Sequence, residues 1–200
     1  MIRVLVLSSG KSDKEVGQVA TNWDISAQLS HSGEKTIKHG CVRMKEVLPH
    51  CQIFGGSPLI KAQQTLLAIM DEMGIKKAER AKHIHLDTAF WSFSPEVWHL
   101  NCRPSKYTNR KVYGYRPDAV ENEGRTVLNA IIRLQDIAKV ASSESAIAIS
   151  HRGPLDAAIM VAKRLLGQKV KIGDIRQCEG AIFHFGAFNK IIRVEDFLRE

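Results

Sequence analysis

Apolar positions along this chain recur in two rhythms. Val4–Leu7 and Ala146–Ile149 are short unbroken apolar runs, the pattern of strands covered on both faces. Elsewhere apolar residues fall three and four apart, the period of a helix with one buried face. Ile37, Cys41, Met44 and Leu48 predict a helix that starts in the turn Leu29-Ser30-His31-Ser32-Gly33 and stops at Pro49. Ala62, Leu66, Ile69 and Met73 predict a second, with Ser57 as its N-cap, Pro58 as its first residue and Gly74 as its end. Val127, Ile131, Leu134 and Ala138 line a third over 123–140. Leu155, Ile159, Ala162 and Leu166 line a fourth, opened by Pro154 and ended by Gly167. Cys51–Phe54 is a short strand broken by Gly55-Gly56, residues 83–86 are another, and 181–186 with 190–194 make a late pair. Residues 11–28 are mostly polar and unpatterned, with Trp23 their one aromatic, and predict loop or irregular helix, and the charged 75–82 a solvated surface.

Strands alternate with helices throughout, without a repeat or a linker. That predicts one α/β domain over 1–200: a three-layer α/β/α sandwich with a mainly parallel central sheet. One stretch obeys neither rhythm. Between Phe90 and Pro117, seven aromatics (Phe90, Trp91, Phe93, Trp98, Tyr107, Tyr113, Tyr115) interleave with Arg103, Lys106, Arg110, Lys111 and Arg116, punctuated by Pro95, Pro104 and Pro117. An irregular cap or insertion at about 88–118 is expected. Two readings stay open: a lid or protein-binding surface over a site, or aromatics that pack the segment onto the core.

Charge adds a class of partner. The net charge of +8 and pI of about 9.4 favour anions such as phosphates, nucleic acid or acidic proteins, or mark only a basic surface. No dense basic tract or nucleic-acid motif is present, which argues against nucleic acid. Cys41, Cys51, Cys102 and Cys178 are widely and irregularly spaced, so reduced structural thiols are expected rather than a zinc site or a disulfide scaffold. No apolar run is long enough for a membrane span or a signal segment, and a cytoplasmic protein is expected.

Candidate chemistry gathers at the strand ends. Ser8-Ser9-Gly10-Lys11 follows the first strand, His151-Arg152-Gly153 follows the 145–150 strand, and Lys61 stands one turn into the helix after Ser57. In a parallel sheet these ends share one edge, where helix N-termini also present free N–H groups. Ser8, Ser9, Gly10, Lys61, His151 and Arg152 would then form an anion pocket; alternatively, the serines and glycines only shape turns and caps. Gly10-Lys11-Ser12 is not a P-loop, because Leu5 stands where the first glycine is needed. Neither Ser8 nor Ser9 has the flanking glycines of a nucleophile elbow. His83 and His85 would be two isolated metal ligands, and no metal or cofactor is called for.

The order of these pieces resembles the histidine phosphatase, or phosphoglycerate mutase-like, superfamily. The most specific correspondence is Ser57-Pro58-Leu59-Ile60-Lys61-Ala62-Gln63-Gln64-Thr65 with the family's Ser-Pro-Leu-x-Arg-Ala-x-Gln-Thr. Leu29-Ser30-His31-Ser32-Gly33 matches Leu-Thr-x-x-Gly, Ser150-His151-Arg152-Gly153 matches Ser-His-Gly-Gly, and Gln177-Cys178-Glu179-Gly180-Ala181 is similar to the late Asn-Cys-Ser strand entry. The resemblance implies a phosphoglycerate mutase-like fold and a chemistry built on a phosphohistidine. It also exposes substitutions. Where the family has Arg-His-Gly-Glu after the first strand, this chain has Ser8-Ser9-Gly10-Lys11, so Ser9 occupies the nucleophile position and Ser8 that of the first arginine. Lys61 replaces the second arginine, and His151 alone survives. For the general acid, Asp87 is the first candidate and Glu96 the second.

Loss of one transition-state donor typically costs about 10²–10³ in rate, and here the covalent nucleophile is missing as well. The expectation is a catalytically degenerate pseudoenzyme or scaffold that binds phosphate, a phosphorylated small molecule or another anion. The alternative is a divergent phosphatase in which His151 activates Ser9.

Overall fold

The computed structural model describes residues 1–11, 28–91, 113–170 and 175–198. Strand β1 (Ile2–Ser8) is followed by α1 (His31–Val47), β2 (Ile53–Gly56), α2 (Ile60–Glu72), a short α3 (Arg80–His83) and β3 (Ile84–Leu86). After the insertion come α4 (Pro117–Val140), β4 (Ser145–Ser150), α5 (Arg152–Leu165), β5 (Gly180–Phe185) and β6 (Ile191–Phe197). Six strands form one sheet in the order β3-β2-β4-β1-β5-β6. The first four run parallel, whereas β5 and β6 join as antiparallel strands.

The unbroken apolar runs have a direct physical cause. Successive side chains of a strand face opposite sides, and both sides of this sheet are covered. Val4, Val6, Ala146 and Ala148 face the layer of α4 and α5. Leu5, Leu7, Ile147 and Ile149 face α1 and α2. The expected helical stripes are the buried ones: Ile37, Cys41, Met44 and Leu48 on one side, and Val127, Ile131, Leu134 and Ala138 on the other.

Several boundaries differ from the expectation. Gly55-Gly56 does not break β2 but completes it. Gly56 has φ +148, and a Cβ there would lie 2.5 Å from the Ile149 carbonyl oxygen, so a close approach between β2 and β4 requires glycine. Helix α2 begins at Ile60 rather than Pro58. Its N-cap is Leu59, whose apolar side chain makes no capping bond; the Ser57 hydroxyl accepts from the Leu59 N–H at 3.2 Å instead. Helix α4 begins at Pro117, six residues before the expected start; Asp118, Glu121 and Asn122 interrupt the apolar period there, although Ala119 and Val120 are buried. Helix α5 opens at Arg152, so Pro154 sits inside its first turn, where a missing N–H loses no helical bond.

The insertion lies mostly outside the described residues. Its leading edge is a 3₁₀ turn over Thr88–Trp91 with Phe90 in the core. Its trailing edge is tied down by Tyr113, whose hydroxyl accepts from Arg164 at 2.8 Å. Among the described residues no helix is long and apolar enough to cross a membrane, and Cys41, Cys51 and Cys178 are buried free thiols.

Candidate functional site

The parallel strands β1, β2 and β4 deliver their C-terminal ends to one edge. Register sets what meets there. Ser8 pairs with Ser150 and Gly56 with Ile149, so Ser9, His151 and Ser57 emerge on neighbouring strands. The ladder continues one step beyond the pairs: the Ser9 N–H donates to the Ser150 carbonyl and the Ser57 N–H to that of Ile149, both at 2.9 Å.

His151 lies between them and is buried. Its Nε2 is 3.0 Å from Ser57 Oγ. Burial, and then the ammonium of Lys61, push its pKa down to about 3, so the imidazole is neutral at ordinary pH. Lys61, in the first turn of α2, is 9% exposed. The Ser9 side chain makes no hydrogen bond among the described residues, and Ser9 is 6% exposed. Arg152, half-buried, is the first residue of α5. Ser9, Lys61, His151 and Arg152 therefore lie at the same edge of the sheet.

Three other expected site residues are engaged in holding the fold. Ser8 is fully buried, and its hydroxyl donates to the Arg176 carbonyl at 2.5 Å. This bond draws it into the 176–179 turn rather than toward a ligand. The Gly10 N–H donates to Thr65 Oγ1 at 3.1 Å, and the Thr65 hydroxyl donates to the Lys61 carbonyl at 2.8 Å. Gly10 thus fastens the loop after β1 to α2. Asp87 accepts from Arg133 at 2.6 and 2.9 Å through one carboxylate oxygen, and from the Ala89 N–H at 2.9 Å through the other. Its carboxylate is the cap and anchor of the Thr88–Trp91 turn. Glu96 lies outside the described residues, as does most of the proposed lid or partner surface at 90–117.

Two residues of consequence are missing from the sequence-based candidates. Ser57 was visible as a helix cap and as the first residue of the motif that carries the resemblance; its bond to His151 depends on β2 and β4 being neighbours. Thr65 belongs to the motif that carries the resemblance, yet nothing in the motif reveals its bond to Gly10. On α4, Glu123 is buried with Oε1 unpartnered, and burial pushes its pKa up to about 8. No group of three or more potential metal ligands occurs among the described residues.

No protein-family model and no curated protein matches the chain. Solved structures do match in fold. A mycobacterial hydrolase is 14% identical with TM-score 0.64, over 98% of this chain and 97% of the other. The Entamoeba histolytica phosphoserine phosphatase, in complex with 3-phosphoglyceric acid, is 15% identical with TM-score 0.63, over 92% and 91%. A mycobacterial glucosyl-3-phosphoglycerate phosphatase, in complex with VO3, is 15% identical with TM-score 0.59, over 100% and 99%. The architecture of this chain is the phosphoglycerate mutase-like fold across nearly its full length.

Proposed function

We propose that this chain is a catalytically degenerate protein of the phosphoglycerate mutase-like fold that binds phosphate or a phosphorylated small molecule at the strand edge without turning it over. The observation that carries this reading is the state of His151. It is the one histidine that the resemblance keeps, and its Nε2 is engaged by Ser57 rather than by the hydroxyl at the nucleophile position. A base held near pKa 3 is also poorly matched to proton abstraction near pH 7. Ser9 has no imidazole to phosphorylate, and Asp87 is held by Arg133.

Binding needs less than catalysis. The ammonium of Lys61, the hydroxyl of Ser9 and the ring of His151 together supply one fixed charge and neutral donors. The neighbouring phosphatases, one in complex with 3-phosphoglyceric acid and one with VO3, support an oxyanion as the class of ligand. The buried thiols accord with a cytoplasmic location.

The test is paired. Calorimetry should register phosphate or a phosphomonoester binding that Lys61→Met weakens, while hydrolysis of generic phosphomonoesters stays at background. Turnover at enzymatic rates that Ser9→Ala abolishes would establish the divergent phosphatase instead.

A further inference from the structure

Ser57 closes β2, is 1% exposed, and every polar contact it makes can be followed. Its N–H continues the ladder to Ile149. Its hydroxyl oxygen accepts from the Leu59 N–H at 3.2 Å. The same oxygen is 3.0 Å from His151 Nε2. A hydroxyl has one proton to give, and among the described residues Nε2 is the one acceptor within its reach.

Consider the alternative. If Nε2 carried the ring proton and donated to Ser57, the serine's own proton would be buried without an acceptor. An unsatisfied buried donor costs about 1–3 kcal/mol. The accounting closes only when Ser57 donates to Nε2. A neutral imidazole with Nε2 as acceptor carries its proton on Nδ1. Nδ1 has no partner among the described residues, and it is not one of the fully buried unpartnered atoms. Ser9 and Lys61, the hydroxyl and the cation of this edge, retain slight exposure as well.

We infer that Ser57 is the positioning residue of this site: it holds the His151 ring by Nε2 and so presents an Nδ1–H donor to an oxyanion beside the Lys61 ammonium. The ligand half of this inference rests on the anion-binding reading; the tautomer half stands without it. The chemistry fits a ligand with acceptor oxygens, met by one fixed positive charge and a neutral ring N–H. In this arrangement, the ring nitrogen that would otherwise be free for proton or phosphoryl transfer is already occupied by protein.

The experiment reads the two ring nitrogens by nitrogen-15 NMR, with the His151 signals assigned by their loss in His151→Asn. In the parent protein Nδ1 should be protonated and Nε2 bare, and Ser57→Thr should keep that state. Ser57→Ala should shift the ring toward the other tautomer. Addition of inorganic phosphate should move the Nδ1 resonance of the parent. A protonated Nε2 in the parent, or a tautomer indifferent to Ser57→Ala in a folded protein, overturns the role of Ser57. If the tautomer follows Ser57 but saturating phosphate moves neither nitrogen, the anion-binding reading fails instead. The parent spectrum and its assignment do not depend on Ser57→Ala, so poor folding of that variant leaves the tautomer decided.

Discussion

Replacement of Glu123 by glutamine should change how stability depends on pH, and the direction can be worked out in advance. Glu123 is 3% exposed on the apolar face of α4, and its pKa rises from an ordinary 4.5 to about 8 because burial disfavours the carboxylate. Its folded state therefore holds a proton that the unfolded chain gives up between those values. Stability from this group is complete below pH 4.5 and falls as pH rises toward 8, by about 1.36 kcal/mol per unit. The whole span approaches about 5 kcal/mol, against a typical total of roughly 5–15. His151 works in the opposite sense. Its pKa falls from 6.5 to about 3, so stability from it is complete above pH 6.5 and lost as pH falls toward 3. Between pH 4.5 and 6.5 the two slopes cancel. From these two groups the parent protein should show a plateau there, then a decline from 6.5 to 8. Glu123→Gln mimics the protonated acid and cannot ionise. It should gain stability up to pH 6.5 and then stay level, ending on the order of 2–5 kcal/mol above the parent beyond pH 8. Urea unfolding at half-unit pH steps, with the midpoint and slope both recorded, measures this. If the variant and parent curves stay parallel from pH 5 to 8.5, Glu123 does not hold a buried proton and the reasoning fails.

Other outcomes follow from individual contacts. Gly56→Ala places a methyl 2.5 Å from the Ile149 carbonyl at φ +148; it should lower stability by more than about 2 kcal/mol, and a thermal midpoint within a degree of the parent would contradict the β2–β4 register. Lys61→Met should weaken phosphate binding by tenfold or more, equivalent to about 1.4 kcal/mol, measured by calorimetry at fixed ionic strength; unchanged affinity would remove Lys61 from the site. Burial pushes the thiols of Cys41, Cys51 and Cys178 up to about 12, so at pH 8 they should ignore a thiol reagent until the protein is unfolded; rapid labelling of any of them in the native protein, located by mass spectrometry, would contradict their burial.

Local pattern determined much of this protein. Two-sided burial writes itself as the unbroken runs Val4–Leu7 and Ala146–Ile149, and one-sided burial as the stripes of α1, α4 and α5, so the α/β class follows from periodicity. The strand ends were legible for the same reason: apolar runs stop abruptly at Ser8-Ser9 and at Ser150-His151, and parallel strands must share an edge. Resemblance of motifs set Ser8 and Ser9 against the family's arginine and histidine, and the proposal of a degenerate site starts from that.

Tertiary structure decided what those residues do. Ser57 is a cap in the sequence and the partner of His151 in space, because β2 and β4 are neighbours although about ninety residues separate the two side chains. Gly55-Gly56 looks like a break and is strand, because the demand for glycine comes from the carbonyl of Ile149 on another element. Ser8, Gly10 and Asp87 carry suitable chemistry but are engaged by Arg176, Thr65 and Arg133. A sequence states which donors and acceptors exist. Which are left over for a ligand depends on long-range pairing, since buried polar groups bond to whatever the fold brings within about 3 Å.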